Sequence, residues 1–327
     1  MNKYLSIFLQ VIFISISQAE RDSDTLHYVF DSIDVYSTSQ KHSSPLSLHI
    51  IKSDDLAVDK NKQTINKSLY FVPGLTVMND NNFAQDARIS IRGVGIRSSF
   101  GVRGIKILVD GVPESTPDGQ AQLDNLDLSF IRSINIFQGA NSPLFGNASG
   151  GAINFITSKN NKSDAFEINS SYSASRTTKH TLFTSKSYKN LSYQLNFLSK
   201  DHTGYRNHSE MKSHNLNAIF SLNSKKGELF QLLFNYINSP ISNDAGSLTI
   251  DEVNEDRTIA REKNILYKAG EDILQQKTTL KYKKIINPGF LIDNYIFYLN
   301  RRFNNKLPFE VSGQVQFDRN YFGIGGS

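Results

Sequence analysis

The sequence of 327 residues predicts an exported chain with two regions of different fold class. An apolar stretch at the N-terminus predicts export, and residues 48–157 predict a compact region of mixed α and β structure. After residue 163, apolar and polar residues alternate in segments of strand length, which predicts antiparallel strands. A chain of this length has room for two such regions.

Composition argues against several function classes. The chain carries 36 Lys and Arg against 31 Asp and Glu, for a net charge of +5, and has no run of five like charges. A nucleic-acid-binding protein would concentrate its basic residues more densely. The chain contains no cysteine, which excludes disulfides, thiolate zinc sites and thiol nucleophiles.

The first 19 residues predict a secretory signal peptide. Lys3 supplies the positive charge, an apolar stretch follows to Ser17, and Ala19 completes a small-residue cleavage site. The apolar stretch is shorter than the ~20 residues of a spanning helix. With no later apolar stretch of that length, the mature protein can lie in a membrane only as a β-barrel, or else on its surface.

Residues 20–47 predict a flexible segment, because they are rich in Ser, Asp and Thr and carry one short alternating run around Ile33 and Val35. Beyond it, Ile65, Leu69 and Val72 recur at helical spacing before a Pro-Gly pair. The spacing of residues 123–133 predicts a second short helix. Strands are predicted by the apolar runs at 48–51, 88–92, 105–111, 133–137 and 151–157.

The second region alternates with a period of two. Phe230, Leu232, Phe234 and Tyr236, for example, share one face of a predicted strand. Both outer-membrane barrels and soluble β-sandwiches show this pattern. The export signal, the aromatic content and the charges on the polar faces favour a barrel. Residues 238–275 are polar and charged, and they predict a long extracellular loop.

No pattern in the chain predicts an enzyme or a metal site. Gly93 and Gly95 begin a dinucleotide-binding fingerprint, but Ser98 replaces its third glycine. Ser149 stands one position too late for a nucleophile elbow, and the seven histidines match no metal-ligand spacing. Four arginines flank predicted turns and could converge on an anionic ligand, although salt bridges or turn capping would account for at least half of them. These are Arg88, Arg92, Arg97 and Arg103.

Residues 48–157 resemble the plug domain of TonB-dependent outer-membrane receptors. Five motifs occur in the family's order, including the helix with its Pro-Gly turn, the Ile-Arg-Gly strand and the Asp-Gly-X-Pro turn. Leu-Phe-Gly and Gly-Gly-X-Ile-Asn elements follow in the closing segment. Residues 83–124 look closest to the ferric-citrate receptor branch.

The resemblance implies uptake of a ferric siderophore or a similar iron chelate such as ferric citrate. Energy would come from TonB and its inner-membrane complex, and outer-membrane lipid would surround the barrel. It implies no enzyme activity, no nucleic-acid partner and no resident cofactor, because the iron travels within the ligand. The segment that resembles the TonB box comprises Asp31, Ser32, Ile33, Asp34, Val35 and Tyr36. An exposed alternating segment of this kind could add a strand to a partner's sheet.

The same resemblance assigns ligand contact to the loops at 79–88, 97–103 and 114–122. The expected ligand-binding residues are Arg88, Arg97, Ser98, Arg103, Asp118 and Gln120. Arg92 matches the family arginine that locks the plug to glutamates of the barrel wall. Gln138 stands where the family has its second arginine, so this lock departs from the family pattern.

The expected fold class is an α+β plug domain, a small mixed sheet with short helices, followed by antiparallel transmembrane β-barrel strands. The expected domains are a signal peptide (1–19), a flexible segment with the TonB box (20–47), the plug (48–157) and barrel strands (163–327). A plugged barrel has roughly 22 strands, whereas the residues after 163 suffice for seven or eight, so the barrel is predicted to be incomplete. The alternatives are a truncated or split-gene product that does not transport, such as an isolated plug, and an exported β-rich adhesin.

Overall fold

The structure is a computed structural model. It describes residues 47–52, 64–78, 82–98, 101–123, 126–140, 142–157, 164–224, 227–287, 289–311 and 313–326. The predicted signal peptide and TonB box lie outside the described residues, as do residues 20–46 of the predicted flexible segment.

The first region is a small mixed sheet with short helices. Five of its strands are hydrogen-bonded in the order β1-β6-β7-β4-β5, with β4 parallel to β7 and the other pairs antiparallel. β2 and β3 form a separate antiparallel pair. The elements are β1 (Ser47–Lys52), α1 (Ile65–Leu69), β2 (Leu75–Met78), β3 (Arg88–Ile91), β4 (Ile105–Val109), β5 (Val112–Pro113), β6 (Ser133–Gln138), α2 (Ser142–Phe145) and β7 (Gly151–Ile156).

The core of this region comes from alternate residues of its strands. One face of the sheet is apolar because every second residue of β4, β6 and β7 points to it. Fully buried members of this core are Ile105, Ile107, Ile134, Ile136, Ile153 and Phe155, and Leu69 of α1 packs in the same cluster. The helix predicted at 123–133 is wrong for its described part. Asp127 accepts the Ser129 backbone N–H at 2.9 Å and stabilises a turn, which competes with a helix.

The second region is an antiparallel meander of eight strands, which we call the wall. Each strand pairs with its neighbours in sequence, and the sheet is open because its order runs from β15 to β8 without a pairing between these two strands in the described residues. The strands are β8 (Ala165–Tyr172), β9 (Thr177–Tyr188), β10 (Leu191–His202), β11 (Met211–Asn223), β12 (Glu228–Asn243), β13 (Gly270–Asn287), β14 (Phe290–Lys306) and β15 (Gln314–Gly326). This arrangement confirms the predicted fold class of a plug followed by an unclosed barrel.

The wall has an apolar outer face and a polar inner face. The register aligns one apolar row across six strands, and every member except the half-buried Tyr193 is exposed. This row comprises Tyr193, Phe220, Leu232, Leu280, Ile296 and Ile324. The inner face meets the first region and carries amide, hydroxyl and charged side chains. A soluble sandwich would bury its apolar face, so the inverted pattern fits a wall that faces lipid.

The predicted loop at 238–275 is shorter in the structure. β12 continues to Asn243 and β13 begins at Gly270, so the connection is residues 244–269, which contains α3 (Ile250–Glu255) and α4 (Glu262–Leu266). The polar strand ends resemble a loop in sequence because the inner face of the wall is itself polar. Pro240 is accommodated where the register shifts between Ser239 and Ser242. None of the helices in the described residues is long and apolar enough to span a membrane.

Candidate functional site

A sharp turn follows β3 and presents its residues to solvent. Arg92, Gly93 and Gly95 have φ angles of 48°, 86° and 96°, and Val94 folds back onto Ile91 through two backbone hydrogen bonds of 3.0 Å. A Cβ atom at Gly95 would lie 2.4 Å from the Ile89 carbonyl oxygen, so only glycine fits there. The turn leaves the following segment exposed, including Arg97.

Three of the predicted ligand-binding residues meet in one exposed cluster. The Arg103 guanidinium lies 3.3 Å from the Asp118 carboxylate and donates to the Gln120 side-chain oxygen at 3.1 Å. Backbone hydrogen bonds of 2.8 and 2.9 Å between Val102 and Ala121 hold the two loops side by side. The structure therefore forms a solvent-facing group of one cation, one anion and one amide, which we call the Arg103 cluster.

Local hydrogen bonding keeps the acid of this cluster ionised. The Thr116 hydroxyl donates to the Asp118 carboxylate, and this bond, together with the positive charge of Arg103, lowers the pKa of Asp118 below its usual value of 3.8. The Asp118 carboxylate thus balances the charge of Arg103.

The other predicted ligand-binding residues lie differently. Arg97 is exposed, whereas the side chain of Ser98 is buried. Arg88 is partly buried and donates to the Ser98 carbonyl oxygen at 3.3 Å, so it fastens the turn that carries Arg97. In this structure Arg88 and Ser98 support the loop, and Arg97 and Arg103 present charge to solvent.

Arg92 meets the residue that replaces the family's second arginine. Its guanidinium donates to the Gln138 side-chain oxygen at 3.3 Å, and the Gln138 amide donates to the Pro73 carbonyl oxygen at 2.7 Å. The pair joins the ends of β3 and β6 within the plug. The lock between Arg92 and barrel-wall glutamates stays a prediction.

The plug is attached to the wall through residues that the sequence reasoning missed. Lys277 of β13 forms an ion pair with Glu114 and donates to the Pro113 carbonyl oxygen at 2.8 Å. Lys281 of the same strand donates to the Asp110 carbonyl oxygen at 2.6 Å. The charges are reversed relative to the predicted lock, because here the acid is on the plug and the base on the wall. Lys277 and Lys281 share one face of β13 because they are four residues apart on a strand. This spacing in the sequence could have indicated that the two lysines act together.

Two further carboxylates join the plug to the wall. Asp127 of the plug is buried and accepts hydrogen bonds from the Asn196 amide at 2.5 Å and the Asn217 amide at 3.4 Å. Asp244, the first residue of the connection between β12 and β13, accepts from the Asn82 and Gln85 amides, both at 3.0 Å. The predicted ligand loop at 79–88 is thereby tied to the start of the long connection 244–269.

Comparison with known proteins agrees with this architecture. Residues 40–153 match the family model of the TonB-dependent receptor plug domain. Similar solved structures include the ferric citrate transporter FecA in the unliganded form, with a TM-score of 0.69 at 20% identity over 86% of this chain and 43% of that one. The ferric yersiniabactin uptake receptor FyuA from Yersinia pestis gives 0.68 at 15% identity over 85% of this chain and 44% of that one.

The siderophore receptor PiuA from Acinetobacter baumannii is also similar, with a TM-score of 0.61 at 17% identity. The match covers 80% of this chain and 37% of that one, so the chain spans less than half the length of these receptors. Residues 40–153 therefore form a plug domain of the kind found in TonB-dependent receptors, and the chain as a whole shares the fold of part of these solved structures.

Proposed function

We propose that this chain belongs to an outer-membrane receptor that takes up a ferric siderophore or a similar anionic iron chelate, energised through TonB. The observation that carries this proposal is the Arg103 cluster, an exposed guanidinium held between two plug loops by Asp118 and Gln120. Three receptors of similar fold are named for ferric citrate, ferric yersiniabactin and siderophores. Iron is cargo in this proposal, and the protein itself needs no resident cofactor.

The chemistry of the cluster suits a chelate rich in carboxylate or other charged oxygen atoms. Arg103 has a planar fork of donors that pairs with such groups in a bidentate manner, and the exchange of Asp118 for ligand oxygen would conserve the pairing. Arg97 adds a second exposed positive charge at the start of the same loop, 97–103. Arg88 contributes indirectly by fastening that loop.

Binding of radiolabelled ferric citrate to the receptor in detergent tests the ligand site. Arg103→Ala is expected to weaken binding about tenfold or more, because a charge-assisted hydrogen bond contributes roughly 1.5–3 kcal/mol. Arg302→Ala is the matched control, because Arg302 is an exposed arginine on the outer face of β14 beside Asp318. Unchanged binding in Arg103→Ala would remove the cluster from the ligand site, and a comparison with a catecholate chelate would separate the two chelate classes.

Energised uptake tests the predicted TonB box. Ile33→Pro or Val35→Pro in the receptor that carries this chain should abolish uptake of the labelled chelate while leaving binding intact, because proline removes backbone donors from a segment that pairs as an added strand. Ser39→Pro, just beyond the box, provides a control for the mere presence of a new proline. Wild-type uptake in both box variants would contradict the prediction that residues 31–36 form the TonB box.

A further inference from the structure

The hairpin formed by β4 and β5 lies at an edge of the plug sheet and is bound by the wall. β5 is the last strand in the order β1-β6-β7-β4-β5, so the hairpin forms one edge of the plug sheet. Its tip turns through Asp110 and Gly111, whose φ angles are 51° and 80°. The tip is braced within the plug, because the Thr157 backbone N–H donates to the Asp110 carboxylate at 2.9 Å.

Two lysines of the wall bind this hairpin from one strand. The side chains of Lys277 and Glu114 are each 6% exposed, so their ion pair is shielded from water. Lys277 also binds the Pro113 carbonyl oxygen at 2.8 Å, and its ammonium group lies 4.9 Å from the centre of the Phe297 ring. Lys281 binds the Asp110 carbonyl oxygen at 2.6 Å. The two ammonium groups thus hold both the tip and the end of the hairpin.

Apolar side chains also pack where the hairpin contacts the wall. Val112, at the centre of the hairpin, is 2% exposed and packs against Phe297 and Leu299 of β14. Tyr295 and Tyr321 lie around this contact. Loss of the Lys277 ammonium would therefore remove the counter-charge of the shielded Glu114 carboxylate, which is the costly way to disrupt a buried ion pair.

The opposite edge of the plug sheet, formed by β1, is more exposed than the hairpin. β1 is hydrogen-bonded on one side only, to β6, among the strands of the described residues, and its own residues are half-buried or exposed, with Ile50 49% exposed. We propose that Lys277 and Lys281 are positioning residues that clamp the β4–β5 hairpin to the wall, so that this edge of the plug sheet opens less readily than it would without them. The clamp itself does not depend on the ligand or on TonB.

Hydrogen–deuterium exchange of the full chain, refolded in detergent, tests the clamp. The readout is the exchange of hairpin amides such as Glu114, which donates to the Ile107 carbonyl oxygen, compared with amides of β6, β7 and β9. Lys277→Met and Glu114→Gln should each raise hairpin exchange about tenfold and leave the other amides unchanged, because the free energy of local opening sets the exchange rate. Lys277→Arg, and the exchanged pair Glu114→Lys with Lys277→Glu, should restore protection.

Lys212→Met is the matched control, because Lys212 pairs with Asp201 on the exposed part of the wall, on a strand that does not bind the hairpin within the described residues. Lys281→Met offers a second test if the Lys277 variants fail to refold, and it should loosen the tip selectively. The proposal is overturned if hairpin exchange is unchanged in Lys277→Met and Lys281→Met. It is also overturned if all amides exchange faster to the same extent, because the lysines would then stabilise the whole fold and not the hairpin.

Discussion

The plug and the wall are built from the same kind of alternating strand but place their apolar residues on opposite sides. In the plug, Ile107 and Phe155 point into a closed core and are fully buried. In the wall, Phe230 and Leu280 are 44% and 55% exposed, while the inner face carries residues such as Lys277 and Asn217. The hydrophobic effect drives the first arrangement, and lipid solvates the apolar face in the second. Alternation therefore identifies a strand, and the surroundings decide which face is apolar.

Truncation of an aromatic ring in each region should show this difference most strongly. Phe155→Ala is expected to destabilise the plug by about 3–5 kcal/mol, because it leaves a cavity in a closed core. Phe230→Ala is the matched change in the wall and should cost much less, because lipid or detergent can fill the space. Urea unfolding, followed by the protection of plug and wall amides, measures both. Equal losses would contradict the lipid-facing assignment of Phe230.

A charge placed on the outer face should have the next largest effect. Leu280→Arg is expected to destabilise the wall in lipid vesicles by about 2–4 kcal/mol, as found for arginine near the bilayer midplane. Asn238→Arg is the control, because Asn238 shares the outer face but pairs with His214 beyond the apolar rows. It should cost about 0–1 kcal/mol, the value near an interface. Similar costs at the two positions would mean that the apolar rows do not define the membrane-embedded part.

Acid should produce the smallest of these effects at the exposed Arg103 cluster. The pKa of Asp118 is lowered in the folded protein by the Thr116 hydroxyl and then by Arg103, so the cluster is fully stabilised above pH 3.8 and is lost as the pH falls through the lowered pKa. A spin label in the variant Pro117→Cys would attach at this position only, because the chain has no other cysteine. Its mobility should stay constant from about pH 7 to 5 and rise only below the usual Asp value.

The control for this measurement is Asp118→Asn in the same labelled chain. This variant should show high mobility that does not change over the acidic range, because its amide does not ionise. A mobility change near pH 6 in the parent would point to another titrating group and would contradict the role given to Asp118.

Much of the fold followed from short stretches of sequence. The predicted strand at 133–137 matches β6, and the Pro-Gly pair after Val72 ends the turn that follows α1. The wrong helix at 123–133 and the overlong loop at 238–275 were predicted because the same residue type can occur in two different structural settings. Asp127 stabilises a turn inside a segment with helical spacing, and Ser239 and Ser242 are polar because they face the plug, although polarity there predicted a loop.

The candidate site was only partly predictable for the same reason. The resemblance placed Arg103, Asp118 and Gln120 on loops, and the structure shows that they contact one another. The resemblance could not predict that Arg88 donates a hydrogen bond to the Ser98 carbonyl oxygen, because this contact depends on how the turn at Gly95 folds back. Nothing in the local sequence indicated that Gln138 would receive the side chain of Arg92.

Strand periodicity, turn glycines and the motifs of the plug are properties of neighbouring residues, so they can be read without a structure, and they sufficed to predict the fold class and the plug domain. The partners of charged residues are properties of the folded chain. Glu114 and Lys277 are separated by 163 positions, and each sits in a segment whose sequence is equally compatible with a solvated side chain. Only the packing of the plug against the wall removes water from this pair, and once the pair is buried, removal of one partner leaves a poorly compensated charge, which is why we expect it to hold the β4–β5 hairpin.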